Sequence, residues 1–107
     1  MMFERRVRVE TVTPEEVKQR LESGDDIVVL DVREAMEVAM GKIPGAKHIP
    51  LSELPQRLHE IDRDKETVLV CRSGNRSHFA TEFLVQNGFS NVKNMLGGMI
   101  SWDGDIE

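Results

Sequence analysis

Thr67-Val68-Leu69-Val70-Cys71-Arg72-Ser73-Gly74-Asn75-Arg76-Ser77 reads as a strand, a short cationic loop and the mouth of a helix. The apolar residues Val68, Leu69 and Val70 lead directly into the chain's single cysteine. Phe79, Ala80, Phe83 and Leu84 then set up the apolar stripe of a helix. Strand, loop and helix in immediate succession form the unit of an α/β fold, in which strand ends carry the working residues.

A second run of the same kind lies upstream, Ile27-Val28-Val29-Leu30-Asp31-Val32-Arg33. Its β-branched residues do not alternate with polar ones. That pattern suits a strand buried on both faces of a parallel sheet. Weaker strand signals occur at Val7 to Glu10, an edge strand by its alternation, at Ala46 to Pro50, and at Asn91 to Met95. Helix signals fall between them. Thr13-Pro14-Glu15-Glu16 combines a cap, a first-turn proline and an acid three residues on, with Val17 and Leu21 behind and Gly24 to close. Glu34 to Met40 reads as a small helix and Gly41 to Gly45 as a turn. Leu54, Leu58 and Ile61 predict a helix over Ser52 to Ile61, with Pro55 tolerated in its first turn. Ser77 to Asn87 predicts a helix closed by Gly88, and Gly97 to Trp102 a turn into a short terminal helix. The expectation is one domain over residues 1–107. Its architecture is a three-layer α/β/α fold around a central, mainly parallel sheet of roughly five strands.

Bulk properties narrow the function. Charged residues make up 31% of the chain and hydrophobic ones 39%, an ordinary folded composition. No apolar run approaches the ~18 residues of a membrane span, and Met1 to Arg6 lack the apolar core of a secretory leader. A cytoplasmic protein without a membrane partner is expected. A formal net charge of −5 argues against nucleic acid as a partner. One cysteine permits no internal disulfide and no Cys-x-x-Cys pair. His48, His59 and His78 are scattered along the chain, so no metal site is expected, and no cofactor.

Against that acidic background, Cys71 to His78 holds Arg72, Arg76 and His78 and no carboxylate. Gly74 lets the loop curl so that successive N–H groups point inward as an anion nest. The helix start adds free N–H groups and partial positive charge. Cys71 should therefore titrate well below an ordinary thiol, as a nucleophile facing a small anion.

At these residues the chain resembles a single-domain rhodanese of the sulfurtransferase family. The resemblance rests on Asp31-Val32-Arg33-Glu34, Gly41-Lys42-Ile43-Pro44-Gly45-Ala46, Cys71 to Ser77, Gly88-Phe89 with Asn91-Val92, and Leu96-Gly97-Gly98 with Trp102. It implies that Cys71 carries a persulfide and that the backbone of Arg72, Ser73, Gly74, Asn75 and Arg76 cradles the outer sulfur. It also implies a double displacement. Thiosulfate or another sulfane donor would load the cysteine, and cyanide or a thiol would unload it. With no second cysteine to resolve the persulfide, the acceptor must come from outside. A protein partner in a sulfur relay is a further implication. Arg72 and Arg76 would attract the donor's anionic head, or serve as props. The chain departs from the family pattern at Lys42, where histidine is common, at Val38, where an aromatic is usual, and at Ser101 before Trp102.

Two other functions remain open at this point. A cysteine-dependent phosphatase would need Cys-x5-Arg, one residue longer than the spacing from Cys71 to Arg76. A non-catalytic binding module would usually lack the cysteine. Asp31 and Arg33 are expected to form a structural pair that braces the loop. Trp102 is expected to act as a lid on the core.

Overall fold

The computed structural model describes residues 7–107, so the leader reading of Met1 to Arg6 lies outside the described residues. Five strands form one sheet: β1 (Glu10–Val12), β2 (Ile27–Asp31), β3 (Lys47–His48), β4 (Glu66–Val70) and β5 (Val92–Met95). Their order is β1-β5-β4-β2-β3, and every pairing is parallel. Three α-helices connect them: α1 (Pro14–Glu22), α2 (Ala35–Ala39) and α3 (Asn75–Gln86). Among the described residues no helix is long and apolar enough to cross a membrane.

Strand alternation divides the core into two. Leu30, Val32, Leu69 and Cys71 face one side, where they pack with Ala80 and Leu84 of α3 and with Leu54. Val29, Val68 and Val70 face the other, with Val17 of α1, Ile43 and Met95. Helices thus cover both faces, in keeping with the unbroken apolar runs Ile27 to Leu30 of β2 and Val68 to Val70 of β4. Each fully buried Leu or Val adds about 1.5–3 kcal/mol relative to exposure. Trp102 packs half-buried against the α1-side cluster.

Local signals explain the element boundaries. Thr13 caps α1 through a reciprocal box, with Glu16 N–H donating to Thr13 Oγ1 at 3.1 Å and Thr13 N–H to Glu16 Oε1 at 3.2 Å. The edge strand falls at Glu10–Val12, later than Val7 to Glu10, because it pairs with Lys93 to Met95. The helix expected over Ser52 to Ile61 is instead two 3-10 segments, Leu51–Gln56 and Leu58–Glu60. Pro55 has no N–H for an α-helical bond, and its ring crowds the preceding turn. The segment uses shorter-range bonds, Glu53 N–H to Pro50 O at 2.9 Å and Arg57 N–H to Leu54 O at 3.0 Å. The terminal Gly98–Ser101 turn is also 3-10.

Register matters for the site. Leu30 pairs with Leu69 and Asp31 with Val70, so β2 and β4 end at the same level. Val32 N–H extends the ladder by bonding Val70 O at 2.9 Å. Asp31 and Cys71 therefore emerge side by side at the carboxyl edge of the sheet.

Candidate active site

Cys71 follows β4 on the α3 face and is 1% exposed. Gly74 adopts φ +100°, a left-handed turn that a side chain would strain. The turn brings Gly74 N–H to the Cys71 sulfur at 3.1 Å, and Ser77 Oγ lies 3.2 Å from the same atom. Burial pushes the thiol up. The Ser77 hydroxyl and the N–H groups of Ser77, Gly74 and Ser73 outweigh it and leave the thiol below its ordinary value. Helix α3 opens at Asn75, two residues earlier than its apolar pattern suggests, so its N-terminus faces the sulfur.

The loop is shaped from behind. Met99 N–H donates to Cys71 O at 2.9 Å and Ile100 N–H to Arg72 O at 3.0 Å. These bonds draw two loop carbonyls outward, while the N–H groups of Ser73 and Gly74 turn toward the sulfur. Gly98 sits against this contact with φ +59°. A methyl there would come within 2.5 Å of the Arg72 carbonyl and of Cys71 O. Leu96-Gly97-Gly98 is thus a backbone-to-backbone buttress.

The two arginines part company. Arg76 forms a two-pronged pair with Glu37 of α2, Nη1 to Oε1 at 2.7 Å and Nη2 to Oε2 at 2.8 Å. Arg72 is exposed, and no hydrogen bond or ion pair within the described residues engages its side chain. Ser73 and Asn75 are also exposed on the loop. One site therefore combines a buried, hydrogen-bonded thiol, inward N–H groups and a free cation at the rim. A separate cleft of about 360 Å³, between Lys18, Leu21, Pro44, Trp102 and Asp105, contains no loop residue.

The family model described as rhodanese-like domain matches residues 13–105. This chain belongs to the rhodanese-like domain family. It is 39% identical over 94 residues to a protein of Allochromatium vinosum named sulfurtransferase, covering 88% of each chain. It is 35% identical over 91 residues to thiosulfate sulfurtransferase GlpE of Pseudomonas aeruginosa, covering 85% of this chain and 81% of GlpE. A crystal structure of a rhodanese-like domain protein from Staphylococcus aureus superposes with a TM-score of 0.87 at 35% identity. That match covers 92% of this chain and 97% of the other.

Within this rhodanese-like domain, the carboxyl edge of β2 is tied to α2 and to the turn that follows it. Arg33 and Asp31 are 6% and 1% exposed. Arg33 Nη2 donates to Asp31 Oδ2 at 2.7 Å and Arg33 Nε to Asp31 Oδ1 at 2.9 Å. The guanidinium also bonds Gly41 O at 2.8 Å, tying α2 to the following turn. The expected structural pair forms, but it braces α2 and the Gly41 turn and not the cysteine loop. His48, half-buried on β3, has Nε2 2.7 Å from Arg33 O and serves the same brace. Lys42 contacts Glu107 Oε1 at 2.6 Å and Ala46 O at 3.2 Å, so it fastens the turn instead of facing the thiol.

The Arg76 pair has a measurable signature. Its guanidinium, helped by the N–H of Glu34, holds the Glu37 carboxyl at about 2. A carboxyl lowered in the folded state stabilises the fold above the ordinary carboxylate range. That contribution is lost as pH falls from near 4.5 through about 2. Both side chains are about one-third exposed, so solvent screening limits the effect to about 1 kcal/mol or less. Glu37→Gln should lower the urea midpoint at neutral pH, and the difference from wild type should vanish at the acid end of that window. A difference independent of pH would mean that the pair carries no net charge interaction.

Two functional residues gave little sequence signal. Asn94 lies on β5 and is 3% exposed, with Oδ1 2.5 Å from Ser77 Oγ and Nδ2 3.2 Å from Gly74 O. Asparagine is disfavoured within strands, and that misfit was the available clue. Gly98 was legible as a turn residue but not as the contact that shapes the cysteine loop.

Proposed function

We propose that this rhodanese-like domain is a sulfurtransferase that carries sulfane sulfur as a persulfide on Cys71. The observation that carries the reading is the thiol itself, buried yet met by Gly74 N–H at 3.1 Å and Ser77 Oγ at 3.2 Å in a loop of inward N–H groups. The sulfurtransferase names of its relatives support the same reading. The Cys71 thiolate attacks the outer sulfur of thiosulfate or of a persulfide donor. The donor's S–S bond breaks and sulfite, or the donor thiolate, leaves with the bonding pair. Negative charge then rests on the outer sulfur, within reach of the N–H groups of Arg72, Ser73, Gly74, Asn75 and Arg76. Cyanide or an acceptor thiolate attacks that sulfur, takes it as thiocyanate or a new persulfide, and returns Cys71 as thiolate.

Arg72 supplies the free cation that meets an anionic donor and steadies the leaving sulfite. Arg76 braces α2 through Glu37, and this commitment weighs against a phosphatase, whose loop arginine must grip the phosphoryl group. Asp31, locked to Arg33, cannot serve that chemistry as a free acid.

The test is intact-mass analysis after incubation with thiosulfate or a small-molecule persulfide. The protein should gain the mass of one sulfur atom and lose it to cyanide with release of thiocyanate. No uptake from either donor overturns the reading. Cysteine-dependent turnover of a phosphotyrosine-like ester in its place would transfer the site to phosphatase chemistry.

A further inference from the structure

Ser77 has one hydroxyl proton and two acceptors within reach. The Cys71 sulfur lies at 3.2 Å and Asn94 Oδ1 at 2.5 Å. The Asn94 amide is not free to turn. Its Nδ2 donates to Gly74 O at 3.2 Å, a carbonyl that also accepts His78 N–H at 3.2 Å. Oδ1 therefore faces Ser77, and a carbonyl oxygen can only accept. The Ser77 backbone is held as well, because Thr81 Oγ1 donates to Ser77 O at 2.7 Å. Ser77, Thr81 and Asn94 are all buried. Only the hydroxyl rotor remains to move.

We propose that Asn94 is a positioning residue for the thiol: it competes with the Cys71 sulfur for the single Ser77 proton. When the sulfur is a neutral thiol, Ser77 donates to Asn94 and its lone pairs are open to the S–H. When the sulfur is a thiolate, the Ser77 proton turns to it and Asn94 Oδ1 is stranded in a buried site. A stranded buried acceptor is costly. Asn94 thus limits how far the loop favours the bare thiolate. The consequence for turnover rests on the sulfur-carrier reading. Once Cys71 holds an outer sulfur, its own sulfur is a neutral bridge, and the hydroxyl returns to Asn94. The loaded form satisfies every member of the network, whereas the bare thiolate does not. Asn94 therefore tilts the balance toward loading.

The charged groups around the sulfur are Arg72 on the loop, Arg76 and His78 at the start of α3, Glu34 and Glu37 beside α2, and Asp31 with Arg33 at the end of β2. The terminal 3-10 turn contributes none, and Asn94 is uncharged. The variants below alter none of these groups.

The experiment is the pH dependence of iodoacetamide alkylation at Cys71, read by intact mass without any sulfur donor. Asn94→Leu keeps the branched shape and heavy-atom count of the side chain and removes the Oδ1 acceptor together with the Nδ2 donor to Gly74 O. Its midpoint should fall by about one pH unit, giving about tenfold more thiolate at a fixed lower pH. Ser77→Ala should shift the midpoint upward by a similar amount. The double variant should lie close to Ser77→Ala, because the Asn94 acceptor oxygen reaches the sulfur only through the Ser77 proton, and Gly74 O keeps its bond from His78 N–H when Nδ2 is lost. Asn94→Ala provides a second route should the leucine disturb folding. In unmutated protein, the Asn94 side-chain amide should shift in ¹⁵N spectra at the Cys71 midpoint, and this shift should disappear in Ser77→Ala. An Asn94 variant that raises or preserves the midpoint, a shift that persists without Ser77, or a silent amide overturns the proposal. Because no donor is present, a protein that shows these shifts yet takes up no sulfur would refute the sulfur-carrier reading alone.

Discussion

Gly98→Ala is expected to suppress sulfur loading by about 100-fold or more, although it leaves Cys71, both loop arginines and every donor side chain in place. The benchmark is Cys71→Ser, which should take up no sulfur at all. The argument is steric and then electrostatic. The added methyl would lie 2.5 Å from the carbonyl carbon and oxygen of Arg72 and from Cys71 O. Non-bonded carbon atoms prefer about 3.5–4.0 Å. Backbone cannot swing aside as a long side chain can, so the terminal turn must back away from the loop. That movement breaks the bonds from Met99 N–H to Cys71 O and from Ile100 N–H to Arg72 O, at 2.9 and 3.0 Å. The freed carbonyls no longer hold the peptide planes with their N–H groups inward. The Cys71 alkylation midpoint should then rise toward or beyond the ordinary thiol value of about 8.5. Circular dichroism should show the sheet and helices retained with a lower melting temperature. Wild-type loading and an unchanged thiol midpoint in folded Gly98→Ala would show that the loop keeps its shape without the buttress.

Asp31→Ala should be the most destabilising single change at the site, at about 3–5 kcal/mol, because it strands a buried guanidinium. The whole stability of such a domain is about 5–15 kcal/mol, so the melting temperature should fall by roughly 15 °C or more. Gly41 O and the carbonyl of Glu37 would still accept from Arg33, but neither carries the opposing charge. The double change Asp31→Leu with Arg33→Met removes both charges and fills the space. It should recover much of the loss, since replacing a buried pair by apolar groups is often neutral or better. Thermal unfolding of the two variants decides. Equal destabilisation of both would mean that the cost lies in packing and not in the unpaired charge.

The sheet was largely legible because its determinants are local. Ile27 to Leu30 and Val68 to Val70 are apolar on both faces, the pattern of strands in a sheet covered on both sides. Thr13 and Glu16 sit three residues apart and bond each other as capping chemistry requires. The stretch from Ser52 to Ile61 misled because the spacing of Leu54, Leu58 and Ile61 reports a buried face, not the hydrogen-bond pattern beneath it. Pro55 settles that pattern by lacking a donor. At the site, Cys71 and Gly74 announced themselves through one contiguous loop. Arg76 did not disclose its partner, because Glu37 lies far along the chain and reaches it only once β2 and β4 are in register. Asn94 and Gly98 were hidden for the same reason. Their roles consist of contacts with the loop across the sheet edge, and a one-dimensional pattern carries no trace of such contacts.

The burial of Cys71 also bears on self-crosslinking. A disulfide holds its sulfurs about 2.05 Å apart and needs α-carbons within roughly 7 Å. Two copies of a thiol that is 1% exposed cannot meet those limits while their loops stay closed. The reduced protein is thereby shielded from dimerising through its own nucleophile, even with no second cysteine to compete. Under the sulfur-carrier reading, loading moves the reactive atom outward by one S–S bond, from the sheltered sulfur to one that an acceptor can touch. On that reading the fold keeps the idle nucleophiles of two copies apart, and only the loaded form carries a sulfur beyond the buried one.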